Sequence, residues 1–371
     1  MLFLPSLKIA VRRVWGCPLF DFLAPINQYF STYTIWGWPV ANIVYLVILC
    51  LVVALGGMTG MAAGTWFERR FIALLQVRKG PNRVGPLGLF QPIADGIKTF
   101  FKEDLIPATA DKALNRLAPG IALFAALMGL AVLPFGPAIA IEGWGTLTLY
   151  VSDLNVGVLF LLGVGSLHVY GVILAGWSSG NKYSLLGALR GAAQLVSYEI
   201  VLGMSLVGVV MITGEMSLGG IVRWQAEHQL PLVLLQPVAF CLFFICMFAE
   251  TNRPPFDLVE ADTELVGGFH TEYSGFRYAL FMISEYVAMI TVSVVATSMF
   301  FGGWGGPFGF LPGIWWTFLG IGFFFFMFVW VRATMPRLRY DQLMRFSWSW
   351  LIPIGLVNLA VTALAIVIFD S

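Results

Sequence analysis

Six carboxylates crowd into one short stretch. The segment ETNRPPFDLVEADTELVGGFHTE carries Glu250, Asp257, Glu260, Asp262, Glu264 and Glu272 against only Arg253 and His270. Phe256, Leu258, Val259, Leu265, Val266 and Phe269 are interleaved with them, so this is not a simple solvated face. Crowded, partly buried carboxylates hold protons nearer neutrality than isolated ones and exchange them when their surroundings move. Cations of a partner neutralising the cluster is the structural alternative. Two more acids, Glu199 and Glu285, stand inside long apolar runs. A charge at mid-membrane costs roughly 2.5 kcal/mol or more, so such residues are expected to be protonated or to face water. His168 also lies in an apolar run, with Tyr170 and Tyr198 as possible partners, and reads as a satisfied core residue.

A second charged segment, ERRFIALLQVRKGPNRVGPLGLFQPIADGIKTFFKED, runs from Glu68 to Asp104. Gly80-Pro81-Asn82 and Gly85-Pro86 are turn chemistry. After them Leu89, Ile93, Ile97 and Phe100 recur at helical spacing, with Asp95, Lys98 and Lys102 on other faces. That pattern predicts an amphipathic helix lying against a membrane or a partner. Tight turns and mixed charges favour an ordered docking surface over a solvated anchor loop.

The elements that must position these groups are membrane helices. The chain has 371 residues, 59% hydrophobic and 11% charged, with a mean hydropathy of +0.85. A soluble domain carries about 25% charged residues. Runs long enough to span hydrocarbon fall at about 39–66, 117–137, 154–176, 189–213, 231–250, 274–301, 311–332 and 349–369. The expected fold is an all-α membrane protein of about eight transmembrane helices with amphipathic cytoplasmic loop helices. Residues 1–37 form an N-terminal extension of interfacial character, and residues 38–371 form one domain. Its cytoplasmic loops cover about 67–116, 177–188, 251–273 and 333–348. Of 21 Lys and Arg, Lys8, Arg12 and Arg13 lie in the extension, Arg223 lies on one face, and the rest lie on the other. The positive-inside rule then puts both termini outside. Gly56, Gly60 and Gly64 form a small-residue ridge for close helix packing, continued by Glu68.

Other chemistry is unsupported. There is no basic tract for nucleic acid, and no glycine-rich nucleotide fingerprint or phosphate loop. Cys17, Cys50, Cys241 and Cys246 form no CxxC pair, which argues against a disulfide framework, zinc or an iron–sulfur site. They read as buried structural thiols. A single intramembrane histidine cannot supply the facing axial ligands of a transmembrane haem. Any electrons must therefore arrive on another subunit.

The two charged segments, with AGWSSGNKYSLLGALRGAAQLVSYE (175–199) and PRLRYDQLMRFSW (336–348), closely resemble one family. It is the H subunit of proton-pumping NADH-quinone oxidoreductase, complex I, the counterpart of mitochondrial subunit 1. The resemblance runs from the first span to the eighth and leaves out the extension. It implies a subunit at the elbow of complex I, in a bacterial cytoplasmic (inner) membrane rather than a mitochondrial one. Its loops would wall a chamber for ubiquinone or menaquinone beside peripheral-arm subunits that carry the terminal iron–sulfur cluster. Small membrane subunits and lipid would be its other neighbours. Flavin and the iron–sulfur clusters would belong to partners, with no metal, haem, nucleotide or catalytic redox residue here.

Carried over by motif, Glu68, Arg69, Asp95, Lys98 and Arg253 belong to the chamber and docking loop. Glu199, Glu250, Asp257, Glu260, Asp262, Glu264, Glu272 and Glu285 belong to the proton path. Asp262 departs from the pattern, since the family usually has glutamate there. The nearest alternative is the membrane subunit of a related energy-converting hydrogenase-type complex. The GPNRVGPLG and ETNRPPFD forms favour the quinone enzyme, and a stand-alone channel leaves the docking loops unexplained.

Overall fold

The computed structural model describes residues 34–35, 38–137, 139–141, 145–147, 149–259, 265–309 and 312–370. Helices dominate: α1 (Val40–Leu75), α2 (Gln91–Phe101), α3 (Lys112–Ala131), α4 (Gly157–Ser178), α5 (Lys182–Thr213) and α6 (Leu218–His228). They are followed by α7 (Leu232–Leu235), α8 (Pro237–Glu250), α9 (Gly275–Phe300), α10 (Ile314–Thr334), α11 (Tyr340–Phe346) and α12 (Ile352–Asp370). A π-helical turn, Ser347–Leu351, joins the last two. Two minimal antiparallel pairs, Thr34–Ile35 with Trp38–Pro39 and Ile139–Ile141 with Gly145–Leu147, leave the all-α class unchanged.

Among the described residues, seven helices are long and apolar enough to cross a membrane, and α8 is a shorter apolar helix. The fifth expected span is broken between α7 and α8. Pro237 has no N–H to continue a helix, and Gln236 turns away from helical geometry (φ −128°, ψ 57°). Its side chain is secured by α12, donating to Thr362 Oγ1 at 2.7 Å and accepting from Asn358 Nδ2 at 3.0 Å. The N-terminal extension lies outside the described residues, apart from the pair at 34–35.

Helix contacts follow small residues, as expected where lipid gives no hydrophobic drive between helices. Ala118 and Ala122 of α3 are fully buried, and a Cβ on Gly171 would meet Ala122 Cβ at 2.9 Å. The glycine ridge of α1 is shifted from the expected set. A side chain at Gly57 would strike Leu130 Cδ1 at 2.7 Å, at Gly60 Ile290 Cδ1 at 2.7 Å, and at Gly64 Phe325 Cζ at 2.5 Å. Gly56 faces open space. One further turn along this ridge, Glu68 is buried against α9 and α10. The thiols also differ from expectation: Cys246 is buried, but Cys50 and Cys241 are exposed. A bilayer is itself an apolar phase, so an apolar run does not by itself predict burial in protein.

Candidate functional site

The end of α1 carries a carboxylate into the protein. Glu68 is 4% exposed and is met from three elements. Arg332, in the last turn of α10, donates Nη1–H to Glu68 Oε1. The Tyr286 hydroxyl on α9 donates to Oε2 at 2.7 Å. Arg253, just beyond α8, brings Nη1 within 3.6 Å of Oε1. The same guanidinium reaches Glu285 Oε2 at 3.8 Å and lies over the Tyr286 ring at 4.6 Å. Two carboxylates and two guanidiniums thus balance in one cluster, the arrangement that makes buried charge tolerable.

The cluster forms the polar side of a cavity of about 620 Å³. Ile72, Ala73, Met282 and the Tyr286 ring make its apolar side, and Arg69, Arg78, Lys79, Gly80, Pro81 and Gln91 make its mouth. Ligand pockets commonly have such volumes and a few convergent polar groups on apolar walls. The mouth is ordered by the 68–104 segment. Trp66 Nε1 donates to the Leu87 carbonyl at 3.1 Å, and Arg70 Nη1 donates to the same oxygen at 2.8 Å. Arg69 pairs with Asp95 of α2 at 2.5 Å. The amphipathic helix forms as expected, with Ile93, Ile97 and Phe100 exposed along it and Lys98 exposed too. Beyond α2, Arg277 fastens the segment to α9 through Asp104, Asn115 and the Leu105 carbonyl.

A second, smaller cavity of about 90 Å³ lies among α3, α4, α5, α8 and α9. Leu202, Leu206, Phe243 and Val295 line it together with Glu199, Glu250 and His168. Ser166 donates its hydroxyl proton to Glu199 Oε1. A Cβ on Gly165 would come within 3.3 Å of Glu250 Oε1, so glycine there keeps space beside that carboxylate. The two cavities are neighbours by construction. Glu250 lines one and Arg253 the other, while on α9 Glu285 lines one and Ala288 the other. Three helical residues are about 4.5 Å of axial rise.

The expected site residues therefore divide. Glu68, Arg253 and Glu285 come together, with Arg69 at the same mouth and Asp95 paired to it. Glu199 and Glu250 come together in the smaller cavity. Asp257 is elsewhere, 5% exposed and accepting from Arg337 Nη2 at 2.8 Å. Glu272 accepts from Asn181 Nδ2 at 2.8 Å, at the start of α5. Glu260, Asp262 and Glu264 lie outside the described residues. Gln194 pins the stretch before them, donating to the Ala249 and Phe256 carbonyls at 3.0 and 2.8 Å.

Sequence reasoning missed Tyr286, Arg332, Arg337 and Ser166. Arg332 and Arg337 count equally as positive-inside residues, and nothing in their spacing marks a buried partner. Tyr286 directly follows Glu285, a weak signal that was available. The tyrosines suggested for His168 do not serve it. Tyr198 donates to the Leu343 carbonyl at 3.2 Å, and Tyr170 is 59% exposed. Among the described residues no group of three His, Cys, Asp or Glu side chains could hold a metal ion.

Comparison with known proteins identifies the family. The profile of the NADH dehydrogenase family matches residues 46–363. The chain is 51% identical over 335 residues to the H subunit of NADH-quinone oxidoreductase from Thermomicrobium roseum, covering 88% of this chain and 97% of that one. The H subunit of the enzyme from Protochlamydia amoebophila is 53% identical over 305 residues, covering 82% and 92%. NADH-quinone oxidoreductase subunit 8 of Thermus thermophilus is 47% identical over 331 residues, covering 89% of each. Identity at this level over most of every chain compared is decisive: this chain belongs to the H-subunit family of NADH-quinone oxidoreductases.

Proposed function

We propose that this chain walls the quinone chamber of a proton-translocating NADH:quinone oxidoreductase and carries the effect of quinone reduction into the membrane. The observation that supports this most is the 620 Å³ cavity, apolar on one side and faced on the other by Glu68, Arg253, Glu285 and Arg332. An isoprenoid quinone needs an apolar wall for its tail and polar groups near its head. Reduction adds two electrons and calls for two protons, and the negative charge falls beside a cluster already balanced two against two. Arg253 can follow that charge, which loosens its hold on Glu285. Glu285 shares α9 with the lining of the second cavity, so Glu250 and Glu199 receive the change next. Asp257, Glu260, Asp262, Glu264 and Glu272 are assigned to the same path by the family motif alone.

The electron donor sits on partners: a peripheral-arm subunit with the terminal iron–sulfur cluster, and others carrying flavin and further clusters. Small membrane subunits continue the proton path. Lys and Arg on the side of the 68–104 segment support placing that side in the cytoplasm of a bacterial inner membrane, with both termini outside. The test is photolabelling of the intact complex with an azidoquinone. Label in peptides spanning 68–81 and 278–286, displaced by excess quinone, is expected. Label confined to other subunits, or to the outward face of α12, would overturn the reading.

A further inference from the structure

His168 is a titratable side chain of the smaller cavity that the proton path does not use. It sits on α4, 8% exposed, one helical turn from Gly165 and near Ser166, which holds Glu199. Its imidazole is engaged by the Ala122 backbone of α3. Among the described residues Nδ1 has no hydrogen-bond partner, although it is buried. An unmade hydrogen bond by a buried ring nitrogen is destabilising, and apolar substitutes for histidine are plentiful. The cavity that His168 lines amounts to about 90 Å³, with Glu199, Glu250 and Thr291 as its other polar residues among apolar ones. A water needs only roughly 10–15 Å³ of such space, together with two to four polar partners. His168, Glu199 and Glu250 all line it and can supply those partners.

We propose that this cavity is a water-binding site, and that His168 is a positioning residue holding the water that links Glu199 to Glu250. The inference rests on the proton-path reading above. Nδ1 accepts a hydrogen bond from the water and orients its second proton toward a carboxylate, which gives the pair a route for exchange. No charge on His168 is required. Gly165 is part of the site, because a methyl group there would take up space beside Glu250 Oε1.

The experiment uses the intact complex in proteoliposomes, with proton-to-electron ratio and coupled quinone reduction measured together. His168→Leu keeps the volume and removes the acceptor. It is expected to lower coupled turnover about tenfold, the equivalent of one hydrogen bond of about 1.4 kcal/mol. His168→Gln, which retains an acceptor, should restore turnover to within about threefold. Gly165→Ala should mimic His168→Leu while altering no titratable group, which covers the case in which the leucine variant fails to assemble. A purely structural histidine predicts no rescue by glutamine and wild-type turnover for Gly165→Ala, and that result overturns the proposal. Glu199→Gln is the control. If it abolishes pumping while His168→Leu and Gly165→Ala do not, the water site is wrong and the path stands. If all of these variants pump normally, both are wrong. High-resolution density for a water within hydrogen-bonding distance of Nδ1 is expected in the wild-type complex, and a dry cavity would overturn the site.

Discussion

Removing the Arg253 guanidinium should loosen the loop that follows α8, and the size of the effect can be worked from the cluster. Arg253→Met keeps the apolar stem and leaves no large void. It takes away the contacts to Glu68 at 3.6 Å and Glu285 at 3.8 Å and the stacking over Tyr286 at 4.6 Å. Both acids stay buried. Breaking a buried ion pair from one side costs about 3–5 kcal/mol. These contacts are longer than direct hydrogen bonds and Arg332 still serves Glu68, so the low end applies. About 3 kcal/mol corresponds to roughly 150-fold in a local opening equilibrium. Hydrogen exchange on the intact complex reads this directly in the peptide covering 251–256. There the Thr251 and Phe256 amides bond to the Met247 and Arg253 carbonyls at 3.3 and 2.9 Å. Exchange should quicken by about two orders of magnitude in Arg253→Met and recover at least tenfold when Glu285→Gln is added. Exchange within threefold of wild type, or a double variant no better than the single one, would refute the charge-balance reasoning.

Two other perturbations probe the surroundings of the site. Arg337→Ala removes the Nη2–H donor to the buried Asp257 carboxylate, so about 1–3 kcal/mol of local stability should be lost and protection should fall in both 255–259 and 336–340. Arg69→Ala, by contrast, breaks a pair whose arginine side chain is 54% exposed. It should change exchange in α2 by less than about fivefold, within the range of surface pairs.

On the opposite face, burial pushes the Asp153 carboxyl above its ordinary 3.8, with Arg223 opposing and Glu215 assisting the rise. An acid with a raised native pKa costs the fold stability as pH climbs past the ordinary value toward the native one. Segment 215–224 should therefore be firmest in acid, and Asp153→Asn should remove that pH dependence and protect it at neutral pH. Exchange corrected for intrinsic rates checks both effects.

The fold was legible because its signals are cumulative. Twenty-residue apolar runs mark spans regardless of detail, and the period of Ile93, Ile97 and Phe100 was enough to place α2. The break at Gln236 was not legible, since proline at the start of a helix and proline in its interior look alike in one sequence. Gly56 was a natural member of its ridge by spacing, but Gly57 faces Leu130 instead, because the helix repeat is 3.6 rather than 4. At the site, Glu68, Arg253 and Glu285 stood out as charges in apolar context. Their mutual contact spans α1, α9 and the end of α8, and only tertiary structure brings these together. Arg332 was hidden for the opposite reason: a cation at the end of an apolar span already has an ordinary explanation.

The central claim is that charge at the Glu68–Arg253–Glu285 cluster drives protons through this subunit. Proton-to-electron stoichiometry of the Glu285→Gln complex, reconstituted and turning over with quinone, tests it most directly. The account predicts a lowered ratio and impaired coupled quinone reduction, while electron transfer to artificial acceptors survives. A wild-type ratio at wild-type turnover would contradict it.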